Sequence, residues 1–134
     1  MNKSFIDKLA LLETNDGKLL FSMSRGLDTW YIPGGKREEG ESDEAALARE
    51  VKEELSVDLL PSTVTFYGIF EAQAHNKPPG TIVRMTCYTA QYTGKIQPSS
   101  EIEHIAYFSY HDTFKRGPVD DVILDDLYAR GLIK

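Results

Sequence analysis

The stretch from Pro33 to Val57 constrains this chain more than any other: a Pro-Gly-Gly turn, a charged loop, and then a helix carrying Glu50, Glu53 and Glu54. The residues predict a helix over about Asp43 to Leu55. Ser42 is a good N-cap, acids fill the first turn, and Ala45, Ala46, Leu47 and Ala48 favour helix. At about 100° per residue, Glu50 and Glu54 fall one turn apart on one face, with Glu53 beside them. Leu47, Val51 and Leu55 fall on another side, roughly 120° away, and supply a core stripe. Like charges at these spacings weaken an isolated helix by about 0.2–0.5 kcal/mol per pair. Clustered oxygen donors suit a hard cation such as Mg²⁺ or Mn²⁺, which would relieve that repulsion. Taken alone, three glutamates also describe a solvated face neutralised by Arg49 and Lys52. The preceding loop tips the balance. Pro33 stops a strand, and Gly34 and Gly35 allow backbone to approach a ligand closely.

Around this segment the pattern predicts β-β-β-α-β-β-β-α, a single α/β domain over residues 1–134 with a mixed sheet between helices. Lys8 to Leu12 and Leu19 to Met23 are apolar runs flanking the hairpin signal Asn15-Asp16-Gly17. Trp30-Tyr31-Ile32 reads as a short buried strand. Thr63 to Ala74 and Thr81 to Thr93 read as two long antiparallel strands, parted by a loop from His75 to Gly80. A polar loop from Gly94 to Glu103 and a strand near Ile105 to Ser109 follow. Asp120 to Arg130 then repeats Ile123, Leu124, Leu127 and Tyr128 at helical spacing.

Composition excludes several classes. A chain of 134 residues that is 41% hydrophobic can bury a core without staples. No apolar run approaches the roughly 20 residues needed to span a bilayer, and Met1 to Asp7 do not resemble a secretory signal. The lone cysteine, Cys87, excludes an internal disulfide, suits a reducing cytoplasm, and reads as a small buried hydrophobe. A net charge of −6 without a basic stripe argues against a nucleic-acid polymer as partner and leaves small nucleotides open. Monomer and homodimer are equally compatible with these residues. His75, His104 and His111 lack metal-ligand spacing, although His75 borders a loop that can line a pocket. Arg25, at the end of the second apolar run, and Lys36, beside the glycines, are candidate phosphate contacts. Phe21, Trp30, Phe70 and Tyr88 are either stacking faces or core.

Gly35 to Val57 resembles the Nudix box, G-x5-E-x7-R-E-U-x-E-E-x-G-U with U aliphatic. Gly35, Glu41, Arg49, Glu50, Glu53 and Glu54 occupy its fixed positions; Ser56 stands where the box has glycine. Six such matches arise by chance in roughly one in 10⁵ chains this long. The resemblance implies an α/β/α sandwich and a hydrolase of nucleoside diphosphate derivatives, similar to the MutT-like enzymes that release pyrophosphate from nucleoside triphosphates, with a pyrophosphatase of nucleotide sugars, dinucleoside polyphosphates or ADP-ribose, or a non-catalytic nucleotide-binding module, as the alternatives. It implies Glu50, Glu53 and Glu54 as metal ligands, with a carbonyl of Gly34 or Gly35 as a further one, and Arg49 orienting a box carboxylate. Glu41 would support the loop–helix junction. A further carboxylate, Glu101 in preference to Glu103, would come from the loop before the last strand. Asp120 and Asp121 match positions where MutT-like relatives contact the base, but they also suit the first turn of a helix. Glu54→Gln is expected to fold normally, because an exposed ligand adds little to packing.

Overall fold

In the computed structural model, which describes residues 4–134, the chain builds nine strands and two α-helices. β1 (Ser4–Leu11), β4 (Gly34–Gly35), β6 (Thr65–Gln73) and β7 (Thr81–Thr89) form one sheet in the order β4-β1-β7-β6. β1 runs parallel to β7, and the other pairs are antiparallel. β2 (Thr14–Asn15), β3 (Lys18–Ser24) and β9 (Ile102–Phe108) form a second sheet, and β5 (Asp58–Leu59) pairs with β8 (Tyr92–Thr93). The helices are α1 (Asp43–Leu55) and α2 (Pro118–Ala129).

The alternation of side chains along β1 and β3 explains the layers. Leu9, Leu11 and Leu20 join a core with Leu47, Val51 and Leu55 of α1. Ala10, Leu12, Leu19 and Phe21 join a second core with Ile123, Leu124 and Leu127 of α2. Successive residues of a strand point to opposite faces, so apolar residues at both parities require cover on both sides. The result is the expected α/β/α sandwich.

Two local expectations need correction. The apolar runs before and after Asn15-Asp16-Gly17 do not pair with each other: only Thr14 and Asn15 pair with Leu19 and Lys18, while the first run lies between β7 and β4. The expected mixed sheet is present as β4-β1-β7-β6, with one parallel and two antiparallel pairings, and β3 pairs with β9 in a separate ladder. Trp30 and Tyr31 make only isolated bridges, to Arg116 and Ser22. Pro33 has no amide to donate, and from there the chain leaves Ser22 and pairs with β1 through Gly34 and Gly35. The long strands did form an antiparallel pair, with a bulge between Phe66 and Gly68. Of the amino-terminal segment read above, Met1, Asn2 and Lys3 lie outside the described residues.

Candidate active site

The glycine turn and α1 are fitted to each other. Gly34 pairs with Ala10 of β1, and a Cβ there would fall 1.9 Å from the Leu9 carbonyl oxygen. Its φ of +152° further favours glycine. Its amide donates to Glu54 Oε1 at 3.0 Å. A Cβ on Gly35 would fall 2.4 Å from Glu50 Cδ. The two glycines therefore let backbone lie directly against two box carboxylates.

Glu54 was expected to be exposed and is not: only 8% of it is accessible. The last turn of α1 is covered, because Gln97 and Ser99 donate their amides to the carbonyls of Leu55 and Glu54, at 3.0 and 3.1 Å. Burial pushes the Glu54 carboxyl up to about 8, with Glu50 and Glu101 adding repulsion against the pull of the Gly34 amide and Lys8. Burial also raises Glu50, opposed by Arg49 and helped by Glu53 and Glu101.

Arg49 ties the loop to the helix. Its Nε and Nη2 grip both oxygens of Glu41 at 2.8 Å each, its Nη1 donates to Glu50 Oε1 at 2.8 Å, and Nη2 also reaches the Lys36 carbonyl at 3.0 Å. Glu53 is half-exposed, with Oε1 3.5 Å from Nη1. The Glu41 carboxyl is held at about 2 by Arg49 and the Glu38 amide, and its two carboxylate partners raise the Arg49 guanidinium in turn.

The three helix carboxylates do not converge on one point: no group of three or more acids, histidines or cysteines among the described residues is close enough to hold a metal ion. Like charges diverge, and each has its own company: Glu54 the Gly34 amide, Glu50 the guanidinium, Glu53 solvent and the edge of Arg49. The donor set nonetheless suits a hard divalent cation. It supplies carboxylate oxygens alone, two of them raised by burial and mutual repulsion, against one nearby guanidinium.

Glu101 is close enough to both Glu50 and Glu54 to raise them. Glu103 turns instead toward Arg25, at 3.9 Å, and His104, at 3.4 Å. Arg25 is exposed, lines neither of the cavities described next, and donates its amide to the Glu101 carbonyl at 2.7 Å. The Lys36 side chain also stays outside both cavities and reaches the site only through charge, at Lys8.

A cavity of about 280 Å³ opens beside Gly34 and Glu54, lined also by Lys8, Ser22, Ser24 and Tyr31. A second, of about 170 Å³, adjoins it between β1, β7 and the start of α2, with walls that include Ile6, Tyr31, His75, Met85 and Asp120. Its floor is polar and incomplete. His75 Nε2 and Asp120 Oδ1 are the buried side-chain atoms without a hydrogen-bond partner among the described residues. Asp120 Oδ2 accepts from the Gly117 amide at 3.3 Å and caps α2. Burial pushes this carboxyl up to about 7, against the Gly117 amide, Lys8 and the Ile32 backbone, which is near Asp120 but makes no hydrogen bond to Oδ1. Lys8 and Tyr31 were not singled out in the sequence: within Phe5-Ile6-Asp7-Lys8-Leu9-Ala10-Leu11-Leu12 apolar residues stand at both parities, so the pattern alone gives Lys8 no side. Of the suggested stacking faces, Phe21 is fully buried, Trp30 and Phe70 pack on the α2 core, and Tyr88 packs on the α1 core. Cys87 is buried, and burial pushes its thiol up to about 12.

No curated protein matches this sequence. Solved structures do resemble it in fold. The E. coli ORF135 protein superposes with a TM-score of 0.73 at 24% identity, covering 95% of this chain and 91% of that one. A MutT protein from Methanosarcina mazei gives 0.75 at 18% identity, covering 98% of both chains. A UDP-X diphosphatase gives 0.72 at 16%, covering 98% of this chain and 66% of that one. The family model of the NUDIX domain matches residues 8–127, a span that holds the glycine turn, the Arg49 junction, the carboxylates and, apart from Ile6, the cavity walls named above. The chain belongs to the Nudix family, hydrolases that act on pyrophosphate bonds, generally with divalent metals, in small nucleotide substrates.

Proposed function

We propose that this chain is a Mg²⁺-dependent, MutT-like pyrophosphohydrolase, with Mn²⁺ able to substitute, that converts a nucleoside triphosphate to the monophosphate and pyrophosphate. One observation carries the reading: a small cavity with two unsatisfied polar atoms, His75 Nε2 and Asp120 Oδ1, adjoins the cavity at Glu54. A concave, mostly apolar site with a few converging polar groups suits a base, and a phosphate chain leaving it would run toward the carboxylates.

Glu50, Glu53 and Glu54 would hold the metal, whose chemistry there is to neutralise phosphate oxygens and acidify a water. Arg49 keeps Glu50 oriented, the Gly34 amide does the same for Glu54, and Gly35 leaves the room Glu50 needs. Glu101 is the group best situated to take a proton from the attacking water. Lys36 and Arg25 serve the outer phosphates at the rim, Lys36 with the better claim because Arg25 already faces Glu103. One chain holds the whole reading, for monomer and homodimer alike. The single buried thiol suits a reducing compartment such as the cytoplasm.

The test is a substrate panel of nucleoside triphosphates, nucleotide sugars, dinucleoside polyphosphates and ADP-ribose with Mg²⁺, with pyrophosphate and monophosphate detected separately. Release of pyrophosphate from a triphosphate, lost in Glu53→Gln and Glu54→Gln, supports the reading. Cleavage confined to nucleotide sugars, dinucleoside polyphosphates or ADP-ribose overturns the substrate, and nucleotide binding without turnover overturns the reaction.

A further inference from the structure

The two cavities share Lys8, Tyr31 and Met85, so they are two chambers of one groove with Lys8 at the waist. Lys8 lies on β1 at the parity of Ile6 and Ala10, which pack on the α2 core. Placing an ammonium on a core-facing position costs solvation, and burial together with Lys36 and Lys77 lowers its pKa, opposed by Asp120 and Glu54. Those two opposing carboxylates belong to different chambers, Asp120 to the smaller and Glu54 to the larger. Neither is in direct contact: Lys8 makes no ion pair and no side-chain hydrogen bond among the described residues, while Lys52 and Lys115 on the surface each pair with an aspartate. A shielded cation without a bonded anion is a standing cost that a bound anion would offset.

We propose that Lys8 binds the phosphate nearest the sugar in a nucleotide whose base fills the chamber of His75 and Asp120 and whose remaining phosphates extend to Glu50, Glu53 and Glu54. The assignment rests on the hydrolase reading for the direction of the phosphate chain, and it names the residue that joins the two ends. An ammonium is a compact point charge with rotatable donors, so it can follow a phosphate without fixing its angle. Lys8 then makes the pair of chambers selective: a nucleoside leaves the waist cation unpaired, and pyrophosphate leaves the smaller chamber empty.

Calorimetric titration without divalent metal tests this, with nucleoside monophosphates carrying each common base and the matching nucleosides. The wild type is expected to bind at least one monophosphate about 10- to 100-fold more tightly than its nucleoside, the range of a charge-assisted contact. Lys8→Met should erase that preference while leaving nucleoside affinity in place, and Lys8→Arg should keep part of it. His75→Ala should weaken both ligands alike and leave their ratio unchanged. Lys8→Met exchanges a shielded charge for an apolar chain of similar length, so its melting temperature should not fall; should it lose the fold, Lys8→Gln carries the same comparison. A preference that survives loss of the ammonium, or a wild type that binds monophosphate no better than nucleoside, overturns the proposal. A wild type that keeps the Lys8-dependent preference yet releases no pyrophosphate with Mg²⁺ overturns the proposed reaction and leaves the Lys8 assignment standing.

Discussion

Gly35 is glycine because Glu50 lies where its side chain would be. A methyl group there would meet Glu50 Cδ at 2.4 Å, and the flexible carboxylate would yield before the backbone did. Gly35→Ala is therefore expected to fold, with a melting temperature within a few degrees of the wild type, while kcat falls by about 10- to 100-fold, as when the support of a metal ligand is disturbed. Circular dichroism melts and steady-state rates check this; an unchanged kcat would remove Glu50 from the reaction. Ser56 is the opposite case. It ends α1 at φ 63°, ψ 23° with its amide donating to the Lys52 carbonyl at 3.1 Å, a left-handed conformation that costs a residue with a Cβ about 1 kcal/mol. Ser56→Gly should raise stability by roughly 0.5–1 kcal/mol in denaturant melts and leave kcat unchanged. Both positions were legible in the sequence, because box spacing identifies which residues meet at a helix end. Lys8 was not, since a lone lysine in an apolar run looks like a surface break until the strand's pairing gives it a side.

At the scale of elements, α1 could be read from its cap, its stripe and its carboxylates, all local signals. The position of β1 could not. Its parallel pairing with β7 joins residues more than 70 apart, such as Ser4 and Thr81, and the adjacent Asp16-Gly17 turn favoured the wrong neighbour. That pairing brings Lys8 toward α2, so the chamber at Asp120 was hidden for the same reason. Asp120 does two jobs there: Oδ2 caps α2 through the Gly117 amide, while Oδ1 has no partner. Its carboxyl is pushed from 3.8 up to about 7, so between these values the folded chain keeps a proton that the unfolded chain has released. Stability falls as pH rises through this window, by up to about 4 kcal/mol from this group alone. Lys8 opposes the shift and Asp121 adds to it. Asp120→Asn can still cap through its amide oxygen and does not titrate. Chemical melts at pH 5 and pH 8 should therefore show a smaller loss for Asp120→Asn than for the wild type; equal losses would mean that Asp120 is ionised in the folded protein throughout.

For the molecule as a whole, the two layers of helix cover strands that are apolar on both faces, and the proposed site lies where β1, the glycine turn and α1 meet. The acids there are kept against electrostatic preference. Glu54, pushed up to about 8 from 4.5, holds its proton in the folded state over a range where the unfolded chain has lost it. Metal-free stability should consequently decline from about pH 4.5 toward pH 8, with a cost on the order of 3 kcal/mol at pH 7. Glu54→Gln keeps an oxygen to accept from Gly34 and discards the charge, so the metal-free variant should melt several degrees above the metal-free wild type at pH 7.5 and match it near pH 4.5. Adding Mg²⁺ or Mn²⁺ closes most of that gap. A cation that binds only the folded chain stabilises it by about 2.7 kcal/mol at a hundredfold excess over its dissociation constant, a gain open to the wild type and largely closed to Glu54→Gln. Melts at pH 7.5 with EDTA and with saturating Mg²⁺ measure both effects in one series. A wild type whose melting temperature ignores the metal, or a variant that gains as much from it, would show that these carboxylates are placed for something other than a divalent cation.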